Sequence, residues 1–170
     1  MRLLLFLLVF SFSSSLVAQG KYTNKDNEQQ QWGDITVQDL KSSPFDTWYN
    51  ESQLYYTPEI NSELASKIKK SKDLEVLIYM GTWCSDSQEW VPKFVKLWEM
   101  MGLTMDNVKI IGVHDADDKR KHAPDRSDKK YNIEMVPTFI FLKKGKEIGR
   151  IIEYPETELE NDVNNILGKI

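Results

Sequence analysis

The stretch LEVLIYMGTWCSDSQEW, Leu74 to Trp90, decides the fold. Its first seven residues form a nearly continuous apolar run of strand length, the pattern of a strand buried on both faces of a sheet. Beyond a short Gly-Thr-Trp connection, apolar residues return at helical spacing, with Trp90, Phe94, Trp98 and Met101 separated by four, four and three positions. Cys84, the only cysteine of the 170 residues, stands at the junction of strand and helix. A helix start leaves backbone N–H groups unpaired and places the positive end of the dipole beside the sulfur. That favours the thiolate, the form that attacks disulfides. Asp86 pulls the other way, because a nearby negative charge disfavours a second one, unless it turns outward or helps to cap the helix. Ser87, three residues after Cys84, is placed to donate a hydrogen bond to the sulfur.

The same alternation of elements continues outward. Upstream, Thr57 is expected to cap a helix with Pro58 at its first position and an apolar stripe of Ile60, Leu64 and Ile68. Downstream, VKIIGV, Val108 to Val113, reads as a second buried strand. A polar connection over residues 114–132 then leads to a hairpin, with Thr138 to Leu142 as one strand, Lys144-Gly145 as the turn and Glu147 to Ile152 as the return. PETELENDVNNIL closes the chain with a helix striped by Leu159, Val163 and Ile166, and Thr157 with Glu160 fits a capping box. The order predicts an α/β protein, a central sheet with helices on both faces.

Three features in mutual register carry a resemblance to the thioredoxin family over roughly residues 58–170. They are Trp83-Cys84 at the strand–helix junction, Pro92 eight residues later inside the helix, and YNIEMVPTFIFLKKGKEIGRI, in which Val136-Pro137-Thr138 looks like the family's cis-proline segment. The Cys-Ser-Asp-Ser run is similar to a branch bearing Trp-Cys-x-Asp-Ser, a monothiol CxxS motif. The resemblance implies a three-layer α/β/α sandwich with a central mixed sheet and an N-terminal extension. It also implies that Val136 and Pro137 bind substrate beside Cys84, offering backbone to which a peptide adds as a strand; a simple tight turn is the plainer reading of Pro137. Trp83 is either a flat wall for that peptide or core packing. The departures are specific. Ser87 stands where the family has its resolving cysteine, Ser85-Asp86 replace Gly-Pro between the cysteines, and Ile78 occupies the place of a buried aspartate.

Serine cannot resolve a mixed disulfide, since its hydroxyl is not ionised near neutral pH. Cys84 and Ser87 are therefore expected to support a monothiol cycle, modulated by Ser85 and Asp86, on thiol- or disulfide-containing proteins or small thiols, with an external thiol as reductant. The rival expectation is a redox-inert module that keeps the groove for binding peptides. A single thiol also fits an intermolecular disulfide, or a buried cysteine acting as a small hydrophobe.

Composition narrows the classes further. The chain is 41% hydrophobic with a formal net charge of −4, which suits one globular domain and offers no basic field for nucleic acid or an anionic membrane. MRLLLFLLVFSFSSSLVA, residues 1–18, reads as a signal peptide too short to span a bilayer, so a periplasmic or secreted protein with no membrane span is expected. Residues 19–57 divide into a polar, aperiodic stretch, GKYTNKDNEQQQ, expected to be a disordered tether, and a segment crowded with Trp32, Phe45, Trp48, Tyr49, Tyr55 and Tyr56. Such aromatics are expected to pack on the main domain or to form a docking surface. His114, Asp115, Asp117, Asp118 and His122 have no metal-ligand spacing, so neither metal nor cofactor is expected.

Overall fold

The computed structural model describes residues 20–170; the signal-peptide reading of 1–18 lies outside them. The elements are β1 (Gly20–Thr23), β2 (Gln29–Ile35), α1 (Val37–Leu40), α2 (Asp46–Gln53), α3 (Ser62–Lys69), β3 (Leu74–Met80), α4 (Ser85–Met100), β4 (Val108–Gly112), α5 (Ser127–Lys130), β5 (Thr138–Lys143), β6 (Lys146–Ile152) and α6 (Leu159–Leu167). The six strands lie in the order β1-β2-β4-β3-β5-β6. β3 and β4 run parallel and the other neighbours antiparallel, giving the expected mixed sheet.

Alternation along β3 and β5 makes the two cores. Val76, Ile78, Met80, Phe139 and Phe141 face one side, where α3, α4 and α6 supply Leu64, Ile68, Phe94, Trp98, Leu159 and Val163. Phe94 is the hub, stacked on Trp98 with ring centroids 5.3 Å apart and tilted against Phe139 at 5.1 Å. The opposite face, with Tyr79, Ile140 and Leu142, is covered by Ala123, Tyr131, Ile133 and Val136. That second layer is thin: its helix, α5, has four residues, and Ser127 at its start bonds the Tyr79 hydroxyl at 2.8 Å. At the β5–β6 turn Lys144 and Gly145 both have positive φ, 51° and 71°, as a tight hairpin of two primed-turn residues requires.

Three local expectations need correction. Residues 20–31 are not a disordered tether, because β1 and β2 form a hairpin whose second strand pairs with β4 from Gly33↔Gly112 to Ile35↔Ile110. Gln30 and Gln31 are buried there, their polar groups satisfied in part by Thr82 and by the Asp34 carbonyl. The helix expected from Thr57 begins at Ser62, because Asn61 caps it by accepting from the Leu64 N–H at 3.0 Å. The Thr157–Glu160 capping box does not form. Asp162 reaches back instead, accepting from the Glu156 N–H at 2.7 Å and the Thr157 hydroxyl at 2.8 Å.

Candidate functional site

Cys84 is the N-cap residue of α4, with extended backbone (φ −97°, ψ 123°) and a half-buried side chain. Because β3 and β5 are antiparallel neighbours, the turn after Met80 and the segment before Thr138 meet at one end of the sheet. The Val136–Pro137 peptide bond is cis. The Cys84 thiol donates to the Val136 carbonyl across that meeting point, with Sγ 3.2 Å from the oxygen. Both Val136 and Pro137 are themselves buried, so the loop presents backbone rather than side chain to the sulfur.

Ser87 lies one turn along α4 and is fully buried. Its hydroxyl oxygen accepts from the Gly81 N–H at 3.2 Å. The expected hydrogen bond from Ser87 to the sulfur is not formed; the hydroxyl is engaged by the backbone behind the thiol. Ser85 is exposed and Asp86 half-buried in the first turn. There Asp86 adds a negative charge at the positive end of the helix dipole, which stabilises α4. Ile78, fully buried, leaves no titratable group beneath the thiol at that position of β3.

Trp83 is less a free wall than a buttress. Its indole N–H donates to the Val113 carbonyl at 3.1 Å, and its ring covers Gly81 so closely that an added Cβ would stand 2.5 Å from the indole. The Arg120 guanidinium sits 5.8 Å from the ring centroid. Packing and the open edge thus share one side chain.

The approach to Cys84 is held by groups that carried no sequence signal. Thr82, buried just before Trp83, donates to the Gln30 side chain at 2.7 Å and accepts the Gln31 N–H at 3.0 Å, while its carbonyl accepts from Gln88 at 2.7 Å. The amino-terminal hairpin therefore clamps the thiol loop to the sheet. Lys121 holds the other wall, donating to the Glu134 carbonyl at 2.6 Å next to the cis-proline loop. These contacts join residues far apart in sequence. Among the described residues no group of three or more His, Cys, Asp or Glu side chains is arranged to hold a metal ion.

His114 anchors the hairpin from the opposite side. Its ring stacks on Tyr22 at 4.1 Å and meets the edge of Trp32 at 5.4 Å, and Nδ1 accepts the Ala116 N–H at 3.0 Å. Burial lowers its pKa below the ordinary 6.5, with Lys119 adding to the effect and Asp115 and Asp118 opposing it. The folded state therefore binds the proton more weakly than the unfolded chain. The stability due to neutral His114 is complete above about pH 6.5 and drains as pH falls from there through the lowered folded value. Urea midpoints should drop between pH 7.5 and 5 more steeply in the parent than in His114→Gln; parallel profiles would refute this.

A half-exposed sulfur, a helix start and a facing carbonyl meet only because two strands distant in sequence are neighbours, which is how a thioredoxin fold presents its thiol. The chain belongs to the thioredoxin family, whose model, described as Thioredoxin, matches residues 57–165. Thioredoxin H2 of Arabidopsis thaliana is 32% identical over 101 residues, which cover 59% of this chain and 68% of that protein. Thioredoxin H1 of the same plant is 29% identical over 108 residues, 64% of this chain and 86% of that one. Among solved structures, Fasciola hepatica thioredoxin overlaps 63% of this chain and 90% of its own at 23% identity, with a TM-score of 0.39. The matched region leaves out the β1–β2 hairpin, α1 and α2. No described helix is long and apolar enough to cross a membrane.

Proposed function

We propose that this protein performs monothiol thiol–disulfide exchange through Cys84 on extracytoplasmic proteins or small thiols. The observation that carries the reading is the thiol at the head of α4, half-exposed, 3.2 Å from the Val136 carbonyl across a cis-proline loop. The Cys84 thiolate attacks one sulfur of a partner disulfide; a Cys84–partner S–S bond forms as the old one breaks, and the second partner sulfur leaves with the electron pair. Ser87 cannot complete the cycle, so an outside thiol attacks the mixed disulfide, releases the partner as a thiol and ends bound to Cys84, from which a second outside thiol frees it. Val136 and Pro137 align the partner backbone, and Trp83 shapes the edge of the groove. Export rests on the signal-like residues 1–18, and amino-terminal sequencing of the mature protein in its native cell would test it by locating a cut near Ala18.

Incubation with a disulfide-bonded protein or oxidised glutathione should give a Cys84 adduct visible by mass spectrometry, stable until thiol is added. Cys84→Ala should abolish the adduct with circular dichroism unchanged. If the parent forms no adduct with any disulfide while remaining folded, the site is a peptide-binding groove without chemistry. The buried Ile78 and the backbone-engaged Ser87 are the features that favour that second reading.

A further inference from the structure

The segment outside the family match builds one wall of a cleft that reaches Ser85, the residue after Cys84. α2 packs along α4, with the Gln53 side chain donating to the Pro92 carbonyl and Lys96 to the Gln53 carbonyl, each at 2.7 Å. Where the two helices part, a cleft of about 520 Å3 opens between Trp48, Tyr55 and Tyr56 on one side and Ser85, Gln88 and Glu89 on the other. Ser85 is the residue next to Cys84, so the cleft begins within one residue of the nucleophile.

Its walls are fixed before anything binds. Trp48 is wedged against Phe45 and Tyr49, the Tyr56 hydroxyl is bonded to Glu160 at 2.9 Å, and Gln88 is tied to the Thr82 carbonyl. Tyr55, by contrast, is 89% exposed at the rim, a cost in water that a partner would remove. The charge is unbalanced. Lys93, the one cation lining the cleft among the described residues, is already committed, 2.7 Å from Glu89 and 4.3 Å above the Trp90 ring. Glu51 also lines the cleft, exposed and with no ion pair among the described residues. Aromatic faces beside unneutralised carboxylate suit a cation with an apolar stem, the chemistry of a lysine or arginine side chain.

On the exchange reading above, we propose that this cleft receives a lysine or arginine of the partner polypeptide, close in sequence to the cysteine that pairs with Cys84. The basic side chain lies between Tyr55 and Trp48 with its charge against Glu51, while the partner backbone follows the Val136–Pro137 loop. The protein then selects disulfides flanked by basic residues.

The test uses the full mature chain and three short synthetic peptides that differ only in having arginine, alanine or leucine beside the cysteine. Each cysteine is carried as a mixed disulfide with thionitrobenzoate. Attack by the Cys84 thiolate joins Cys84 to the peptide sulfur, breaks the peptide–thionitrobenzoate bond and releases thionitrobenzoate with the electron pair as a coloured thiolate, so the rate is read directly. The arginine peptide should react about fivefold faster, the scale of one exposed cation–π contact with a carboxylate nearby. The ratio should shrink with added salt and fall to about one in Glu51→Gln/Tyr55→Ala, two exposed positions whose replacement leaves the core intact. In parallel, amide NMR shifts are followed with peptides carrying serine in place of cysteine. The arginine peptide should move the Ser85 and Gln88 signals in the parent and not in the double variant. Equal rates in the parent, a preference that survives the double variant, or a leucine peptide that outpaces the arginine one would overturn the proposal. If no peptide releases thionitrobenzoate yet the serine–arginine peptide moves Ser85 and Gln88, the cleft stands and the exchange reading fails. If those signals do not move, the cleft proposal fails whatever the rates.

Discussion

On the proposed monothiol cycle, Ser87→Cys should give a protein that releases its partner unaided. Cys84 and Ser87 are the cap and third residue of α4, so their side chains lie on one face of its first turn. A thiol at position 87 would attack the Cys84–partner bond from within the same molecule. An internal nucleophile at an effective concentration of order 1 M or more outruns an outside thiol at about 1 mM by roughly a thousandfold. The electrons balance without a new reagent: an S–S bond forms between Cys84 and the introduced thiol, the Cys84–partner bond breaks, and the partner leaves as a thiolate. The substitution removes the hydroxyl that accepts the Gly81 N–H, at a cost of about 1 kcal/mol. Decay of a purified mixed disulfide, followed by mass spectrometry without added thiol, separates the outcomes. Parent adducts should persist while variant adducts clear, leaving an intramolecular disulfide. Equal persistence would mean that the buried position does not face the sulfur, and the account of Ser87 as the residue that halts the cycle would fall.

The largest loss of stability is expected at Phe94. Its ring is fully buried and touches Trp98, Phe139 and Phe141, joining α4 to β5 across the core. Phe94→Ala should cost about 3–5 kcal/mol, the transfer of the ring plus the cavity left behind. Against a typical domain stability of about 5–15 kcal/mol that is a large share. The urea midpoint should fall with the slope unchanged. Because α4 also carries Cys84, adduct formation should weaken on warming at lower temperature than in the parent. A loss below about 1 kcal/mol would mean that the aromatic cluster closes over the gap, contrary to the close packing of protein interiors.

Residues 74–113 and 138–152 were readable in sequence because their structure is written in local period. β3 and β4 are mostly apolar runs, α4 shows its stripe, and Lys144-Gly145 marks the β5–β6 reversal with positive φ at both residues. Helix ends were less legible, since Thr57 and Asn61, or Thr157 and Asp162, offer competing caps of similar chemistry and packing chooses between them.

The hairpin of residues 20–35 was hidden for another reason. Gln29, Gln30 and Gln31 give no apolar alternation, yet their strand is held by pairing with β4 and by Thr82, 52 residues beyond Gln30. A polar side chain is content in water or in a satisfied interior bond, and only its distant partner decides which. The lone thiol, its serine neighbour and the cis-proline segment could be named from sequence. What faces the sulfur, what the Ser87 hydroxyl accepts, and the aromatic and acidic cleft at Ser85 depend on strand order and on α2 lying along α4. Those contacts join residues tens of positions apart, and no local pattern encodes them.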